Sequence, residues 1–235
     1  MQKDLVPGTD YIIYQDDNLF KYTTDSLMLS SMARPYGNVA DIGSGSGIIS
    51  IRLADKEKIK RFVNIEINTH AHEVSVESVK ANKLDSKIES YNIDICDVKE
   101  YFRNQEFDSV IMNPPYFTKS LKNYKHSKII ARHSDSIIEF IQASRYLLKN
   151  GGKLFMVFPA KRLIDLIYIL RCEGIEPKKL RFVRNDISKE PYLVFVEAVK
   201  EGKPELKIIN DLVLFKKGTR DLTEEALKIY RNEEI

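Results

Sequence analysis

The stretch Val39-Ala40-Asp41-Ile42-Gly43-Ser44-Gly45-Ser46-Gly47 joins a short apolar run to a glycine-rich turn, and the apolar segment 48–54 follows it. This order predicts a strand, a loop and a helix, as in the nucleotide-binding sites of α/β proteins, because glycine lets the backbone approach a ligand closely. The dinucleotide-binding pattern G-x-G-x-x-G would require glycine at position 48, where this chain has isoleucine. The candidate ligand contacts in this stretch are Asp41, Gly43, Gly45 and Gly47.

Apolar runs on both sides of this turn predict further strands, most of which alternate with helices. The predicted strands span 39–42, 62–65, 88–93, 107–112, 153–158, 180–184 and 193–199. The last two lack a helix between them, so we expect an antiparallel hairpin that closes the sheet. The prediction is an α/β, Rossmann-like sheet of seven strands, mostly parallel with the last strand antiparallel, and with helices on both faces. Glu66 follows the second strand at the distance where such folds place a ribose-binding carboxylate.

The motif Asn113-Pro114-Pro115-Tyr116 directly follows the predicted strand 107–112. Proline fixes φ, removes a backbone N–H and keeps the preceding residue extended, so the two prolines form a stiff step with outward carbonyl groups. The Asn113 amide oxygen beside the Pro114 carbonyl provides two acceptors, and Tyr116 adds a flat ring. This arrangement suits a planar substrate that carries an NH₂ group. A strand that simply ends in a proline-rich turn is the alternative.

Length and composition favour one domain. The chain has 235 residues and a net charge of +3, which does not by itself indicate a nucleic-acid partner. Cys96 and Cys172 lie far apart without metal-ligand spacing, so we expect reduced thiols and no metal site. Because the sequence has no apolar leader and no membrane-spanning run, we expect a cytoplasmic protein without a membrane partner.

The two ends of the predicted domain (1–235) carry smaller elements. Residues 1–36 are expected to form a hairpin and helix that act as a lid, with the hairpin turning at 15–18. The helix is predicted over 27–32, with residues 23–26 as its cap. Residues 200–235 are predicted to be an extension with short β-like runs at 206–209 and 212–215 and a helix over 221–231.

Two clusters of basic residues are candidate RNA contacts. The first follows the motif and has no acidic residue between 116 and 134; its positive side chains are Lys119, Lys122, Lys125, Lys128 and Arg132. Its position favours a loop that contacts phosphates, and a solvated basic loop is the alternative. The second cluster consists of Lys216, Lys217 and Arg220. It suits an RNA contact and a solvated turn equally well.

The motif resembles that of S-adenosylmethionine-dependent methyltransferases that act on planar nitrogens. Other stretches are similar to the bacterial tRNA1(Val) adenine-N6 methyltransferase family; they are Lys21-Tyr22-Thr23-Thr24-Asp25, Asn113-Pro114-Pro115-Tyr116-Phe117, Ala131-Arg132-His133, Gly151-Gly152-Lys153 and Gly202-Lys203-Pro204-Glu205-Leu206. The chain departs from that family at Thr23 and Ser26, where its relatives carry glycine. The resemblance implies the seven-stranded methyltransferase fold, S-adenosylmethionine as cofactor and tRNA as partner.

The resemblance also implies roles for single residues. Asn113 and the Pro114 carbonyl would accept the N–H groups of the target amine, and Tyr116 would stack on its ring. The turn 41–47 would bind the cofactor, whose methionine end would lie beside Thr24 and Asp25. Those two residues are equally well explained as helix caps. Asp94 and Ile95 would contact the cofactor adenine, with Asp97 as a competing candidate for the role of Asp94.

The implied reaction is N6-methylation of the adenine immediately 3′ of the anticodon. One alternative is glutamine-N5 methylation of a release factor, although such enzymes usually carry an extra N-terminal helical domain. Others are methylation of adenine in rRNA or DNA, the latter usually with a target-recognition domain, and a catalytically silent RNA-binding protein. We expect a glycine turn that begins at residue 43 to leave no room for an additional N-terminal domain.

Overall fold

The computed structural model describes residues 2–16, 22–115 and 136–235. Its strands are β1 (Gln2–Leu5), β2 (Ile12–Gln15), β3 (Gly37–Ile42), β4 (Ile59–Ile65), β5 (Ile88–Tyr91), β6 (Phe107–Met112), β7 (Leu148–Pro159), β8 (Ile175–Arg184), β9 (Leu193–Lys200) and β10 (Lys207–Val213). Its α-helices are α1 (Thr24–Met32), α2 (Ile48–Arg52), α3 (Thr69–Ala81), α4 (Val98–Tyr101), α5 (Ser136–Leu147), α6 (Leu163–Cys172) and α7 (Glu224–Tyr230). Short 3₁₀ helices lie at Ile95–Asp97 and Ala160–Arg162.

In the described residues, β3 to β10 form one sheet in the order β10-β8-β9-β7-β6-β3-β4-β5. Strand β9 runs antiparallel to both of its neighbours, and the other pairings in this sheet are parallel. The predicted α/β class, the seven strands and the antiparallel last strand of that set are confirmed. The sheet has an eighth strand, because β10 pairs with β8.

The expectation that the hairpin β8–β9 closes the sheet is therefore wrong. Without β10, the outer edge of β8 would expose unpaired N–H and C=O groups. Strand β10 pairs with this edge in a parallel register that matches Ile208 with Leu180. The register shifts between Ile209 and Leu212, where Asn210-Asp211 interrupts the apolar pattern. The two β-like runs predicted here are one strand with an irregularity.

Helices cover both faces of the sheet, as predicted. Successive strand residues point to opposite faces, so that Ile111 belongs to one apolar cluster and Val110 to the other. The first cluster receives α1, α2 and α7, for example through Met28 and Ile229. The second receives α5 and α6. Burial on both faces explains why the central strands are almost continuously apolar.

The N-terminal residues form a hairpin in which β2 pairs antiparallel with β1 and the chain turns at residues 6–11. The predicted turn at 15–18 lies partly outside the described residues, which stop at 16 and resume at 22. Helix α3 contacts β2, because the Ile12 N–H donates to Asn82 Oδ1 over 2.9 Å and the Tyr14 N–H donates to Ser78 Oγ over 2.9 Å. Ser78 of α3 and its C-cap residue Asn82 thus satisfy backbone groups of β2. Helix α1 begins at Thr24, so Thr23 is its N-cap residue and the other predicted cap residues, 24–26, form its first turn.

Arg52 is a buried cation that joins three parts of the chain. Its side chain donates to the carbonyl groups of Pro7 at 3.2 Å, Leu27 at 2.7 Å and Ile229. Further bonds from Nη1 reach the hydroxyls of Ser30 and Ser31. Burial lowers the pKa of Arg52 to about 10, so the guanidinium remains charged at neutral pH. The N-terminal turn, α1 and α7 are therefore held by one side chain.

We expect Arg52→Lys to lower the free energy of unfolding by about 1–3 kcal/mol. A lysine carries three donors on one nitrogen and cannot reach partners on three separate elements. Urea unfolding measures the effect, and Arg171→Lys is the matched control, because Arg171 is exposed and pairs with Glu176 at the surface. The control should change stability by no more than about 0.5 kcal/mol. Equal effects of the two substitutions would show that the Arg52 contacts do not stabilise the fold.

Candidate active site

The carboxyl ends of four adjacent strands bring most of the predicted site residues together. In the order β5-β4-β3-β6, these ends are followed by Asp94, Glu66, the turn 43–47 and Asn113. The register pairs Asp41 with Ile111 and Ile42 with Ile65. Because neighbouring strands lie about 4.8 Å apart, these residues line one continuous edge.

The glycine turn is shaped by backbone conformations that favour glycine. Gly43, Gly45 and Gly47 have φ values of +70°, +54° and +80°. A Cβ atom on Gly47 would lie 2.6 Å from Ser75 Oγ, so glycine is needed for close packing on α3. A Cβ on Gly45 would meet nothing within 4 Å among the described residues. The surface at Gly45 thus leaves space for a ligand to approach the backbone.

Glu66 holds this turn in place. Its Oε2 accepts from the Gly45 N–H over 2.8 Å, and its Oε1 accepts from the Asn68 N–H over 2.8 Å. The N–H groups of Gly43 and Ser44 donate to the Ile65 carbonyl, which fastens the turn to β4. A carboxylate has about four acceptor sites, so these two bonds leave it capacity for hydroxyl groups of a ligand. The ribose-binding role of Glu66 remains a prediction.

Asp41 is buried beneath the turn, and its carboxyl oxygens have no hydrogen-bond partner among the described residues. Burial, and then the nearby charge of Glu66, raise the pKa of Asp41 to about 8. The hydroxyl of Ser44 is also buried without a partner in this part of the structure. Buried polar groups are normally satisfied, so unpartnered atoms below a glycine turn favour a site for a polar or cationic ligand.

Asp94 lies just after β5, where its side chain accepts from the Cys96 N–H over 2.9 Å and caps the 3₁₀ helix Ile95–Asp97. Ile95 is buried, whereas Asp97 is exposed. Asn92 donates to the carbonyl groups of Glu66 and Ile67 and so fixes the end of β5 against the end of β4. Both aspartates remain candidates for the adenine contact, and Asp94 is the one nearer the strand end.

The motif Asn113-Pro114-Pro115-Tyr116 begins directly after β6. Asn113 is half-buried, Pro114 is buried and Pro115 is exposed, while Tyr116 lies outside the described residues. Asn113 Nδ2 donates to Ser26 Oγ over 3.0 Å. The Asn113 amide therefore contacts the first turn of α1.

Thr24 and Asp25 are half-buried in the first turn of α1, next to Ser26. Burial raises the pKa of Asp25. Burial, followed by the negative charge of Asp25, also raises the pKa of Tyr192 at the start of β9. The Ser26–Asn113 bond thus brings both predicted cofactor contacts to the carboxyl edge of the sheet, where Tyr192 is an additional neighbour of Asp25.

One of the two basic clusters lies within the described residues. Lys119, Lys122, Lys125, Lys128 and Arg132 lie outside them. Lys216, Lys217 and Arg220 are exposed on the turn that follows β10. The Gly218 N–H donates to Asp186 Oδ2 over 2.7 Å, which binds this turn to the β8–β9 loop at the carboxyl edge. Bonds from the Ser188 and Gly218 N–H groups lower the pKa of Asp186 to about 2, so it stays ionised.

Several site residues could not be identified from their local sequence. Ser26 has no motif of its own, and its partner Asn113 is 87 positions away. Ser44 lies within the glycine turn, but its burial depends on tertiary packing. For Asn92, the position directly after a predicted strand was the one sequence signal for a place in the site. All three residues are recognised as part of the candidate site once the tertiary structure is known.

The described ranges contain no group of three or more His, Cys, Asp or Glu side chains able to hold a metal ion. Across the same part of the chain, no helix is long and apolar enough to cross a lipid bilayer.

Residues 22–167 match the family described as methyltransferase small domain. A relative from Actinobacillus pleuropneumoniae serotype 7, named tRNA1(Val) (adenine(37)-N6)-methyltransferase, is 25% identical over 169 residues, which cover 70% of each chain. A protein of the same name from Porphyromonas gingivalis is 28% identical over 207 residues, which cover 84% of this chain and 81% of the relative.

Solved structures of low sequence identity share the fold. A predicted O-methyltransferase from Agrobacterium tumefaciens is 18% identical, has a TM-score of 0.73, and the match covers 89% of this chain and 97% of that one. M. jannaschii TYW2 in complex with AdoMet is 19% identical, has a TM-score of 0.56, and the match covers 80% and 81% of the two chains. These similarities support the arrangement of the sheet and helices.

Proposed function

The chain belongs to the methyltransferase small domain family, and we propose that it methylates N6 of an adenine in tRNA with S-adenosylmethionine as methyl donor. The observation that carries this proposal is the position of Asn113 and its two prolines beside the glycine turn. The names of the relatives, at 25% and 28% identity, support tRNA1(Val) as substrate and the adenine immediately 3′ of the anticodon as target.

The residues around the glycine turn fit S-adenosylmethionine. This cofactor carries a positive sulfonium whose methyl group is electrophilic, together with an ammonium group and ribose hydroxyls. Gly45 leaves open space beside the backbone. Asp41 and Ser44 have buried oxygens that lack a partner in the described structure, and Glu66 retains acceptor capacity. The ammonium and hydroxyl groups of the cofactor could donate the hydrogen bonds that these oxygens lack. The cofactor site is proposed to be completed by Thr24, Asp25, Asp94 and Ile95.

At the target, the task of the protein is orientation. The lone pair of an exocyclic amine is delocalised into the adenine ring, so the nitrogen is a weak nucleophile. We assign the Asn113 amide oxygen and the Pro114 carbonyl as acceptors for its two N–H bonds, which turn the lone pair out of the ring plane. Tyr116 is proposed to stack on the base. The rate gain then comes from positioning and electrostatics. The nitrogen would become strongly acidic once it carries the methyl group and would lose its extra proton to water, so the transfer itself needs no general base.

A tRNA loop suits this site energetically. An adenine next to the anticodon lies in a single-stranded loop, so moving it into a pocket costs little unstacking energy. Lys216, Lys217 and Arg220 are proposed to contact phosphates, because their turn lies at the same edge of the sheet as Asn113. The segment with Lys119, Lys122, Lys125 and Arg132 is proposed to contribute further phosphate contacts from its place after the motif.

Incubation with S-adenosylmethionine labelled at the methyl group, together with separate pools of tRNA, rRNA, DNA and protein, tests the proposal. We expect label in tRNA, and N6-methyladenosine after digestion to nucleosides. Mapping by mass spectrometry should place it 3′ of the anticodon. Label confined to protein would favour glutamine methylation and overturn the proposal. Binding of tRNA without any transfer would favour the silent RNA-binding alternative.

We expect the triple variant Lys216→Gln, Lys217→Gln, Arg220→Gln to bind tRNA more weakly. The slope of log K against log salt concentration should fall by roughly 0.7–0.9 for each lost phosphate contact. Fluorescence titrations at several salt concentrations measure it. The control is Lys58→Gln, Lys60→Gln, Lys80→Gln, which removes the same charge from exposed positions at the amino-terminal edge of the sheet. An unchanged slope in the first variant would identify its turn as merely solvated.

A further inference from the structure

The hydrogen bond between Asn113 and Ser26 links the proposed catalytic turn to helix α1. Asn113 Nδ2 donates to Ser26 Oγ over 3.0 Å. Ser26 is 8% exposed and lies in the first turn of α1, next to the proposed cofactor contact Asp25. A buried hydroxyl therefore touches the amide on which the proposed function depends.

The two ends of an asparagine amide are similar in size and opposite in chemistry, because the oxygen accepts hydrogen bonds and the NH₂ group donates them. When Ser26 receives the nitrogen end, Oδ1 occupies the other end of the side chain. An adenine amine needs an acceptor, and an amide rotated by half a turn would present N–H groups to its N–H groups. Ser26 thus contacts the amide in the orientation that the reaction requires.

The packing of helix α1 fixes the position of the Ser26 hydroxyl. Leu27, Met28 and Leu29 are each 3% exposed or less. The buried side chain of Arg52 donates to the Leu27 carbonyl and to Ser30 Oγ. Because packing and a buried cation both hold α1, the hydroxyl of Ser26 stays at a fixed place relative to the end of β6.

We propose that Ser26 is a positioning residue of the methyltransferase, whose hydroxyl accepts from Asn113 Nδ2 and so orients the amide for a contact between Oδ1 and an N–H of the bound target amine. This inference rests on the proposed function. Ser26 acts through Asn113 and does not itself contact the adenine. Removal of the Ser26 hydroxyl should slow the chemical step when Asn113 is present. It should have no further effect in a variant that already lacks the Asn113 amide.

The test compares kcat, KM for tRNA and Kd for S-adenosylmethionine among variants of the full chain. We expect Ser26→Ala to lower kcat by about 5- to 30-fold with KM and Kd within about twofold, because orientation is lost and binding is not. Ser26→Thr keeps a hydroxyl and should stay within about threefold of the unmodified protein. Ser31→Ala is the matched control, since it removes a buried hydroxyl of the same helix that contacts Arg52. It should lower the melting temperature and leave kcat unchanged.

The double variant Ser26→Ala, Asn113→Ala decides whether Ser26 acts through Asn113. We expect it to be no slower than Asn113→Ala alone. Retention of kcat within twofold in Ser26→Ala, or an equal loss in both backgrounds, would overturn the inference. A kcat loss in Ser31→Ala as large as that in Ser26→Ala would also overturn it, because a loosened helix would then explain both. The unmodified protein tests the proposed function separately; if it methylates another pool, the variants are compared on that substrate.

Discussion

We expect Asn113→Ala to lower kcat for tRNA methylation by on the order of 10²-fold or more, and to leave the affinity for S-adenosylmethionine within about twofold. The amide oxygen is one of two acceptors that orient the target amine, so its loss acts on the transition state. The substitution does not alter Asp41 and Glu66, the proposed cofactor contacts. Single-turnover methylation measures the rate, and calorimetric titration measures the affinity.

The control for this variant is Asn38→Ala. Asn38 is a half-buried asparagine near the start of β3, at the opposite edge of the sheet. Its backbone N–H donates to Asp108 Oδ2, and this bond does not need the asparagine side chain. It should keep full activity. If Asn113→Ala instead lost rate and cofactor affinity to the same degree, the residue would be part of the cofactor site and not an acceptor for the amine.

Asp41→Asn should make the cofactor-free protein more stable at pH 8. The native carboxyl has a pKa of about 8, whereas its ordinary value is 3.8. The native state therefore holds a proton that the unfolded chain releases, and stability falls as pH rises from about 4 to 8. Asparagine removes this titration, with an expected gain on the order of 1–5 kcal/mol at pH 8 and little change near pH 4. Urea unfolding across this pH range measures it.

The same substitution should weaken cofactor binding by roughly 10- to 100-fold, because a cationic ligand favours ionised Asp41. In the unmodified protein, affinity should accordingly rise as pH approaches 8. Asp108→Asn is the control of opposite sign. Burial favours the neutral form of Asp108, but bonds from Lys149 and the Asn38 N–H outweigh it and lower the pKa. That variant should be less stable at pH 8 and bind the cofactor normally. A pH-independent gain for Asp41→Asn would show that Asp41 is not neutral in the native protein.

The central sheet could be predicted from the sequence because its signals are local. The glycine turn, the apolar runs and Asn113-Pro114-Pro115 each occupy a few consecutive positions, and the parallel topology places strand ends together. Strand β10 was missed as part of the main sheet, because its pattern is broken at Asn210-Asp211. The hairpin β1–β2 was not predicted, because its strands are held by contacts with α3 that no local pattern shows.

For the candidate site, the sequence predicted which residues take part but not which residues they contact. Residue types after each strand indicated Asp41, Glu66 and Asn113. The partners of these side chains could not be predicted, since Ser26 reaches Asn113 from a separate helix and Glu66 bonds backbone groups of the glycine turn. Whether Asp94 or Asp97 is the better candidate for the adenine contact could not be predicted, because it depends on how the 3₁₀ helix Ile95–Asp97 packs.

The buried guanidinium of Arg52 restricts which substitutions this sequence can accept during evolution. Its donors are shared among the hydroxyls of Ser30 and Ser31 and carbonyls on three separate segments. A homologous protein without this arginine would leave all of those acceptors without their donor. Helix α1, which carries Ser26, would also lose its bonds to this side chain. Positions 30, 31 and 52 should therefore change in concert among lineages, and random mutagenesis should recover substitutions at position 52 chiefly alongside compensating changes at the two serines.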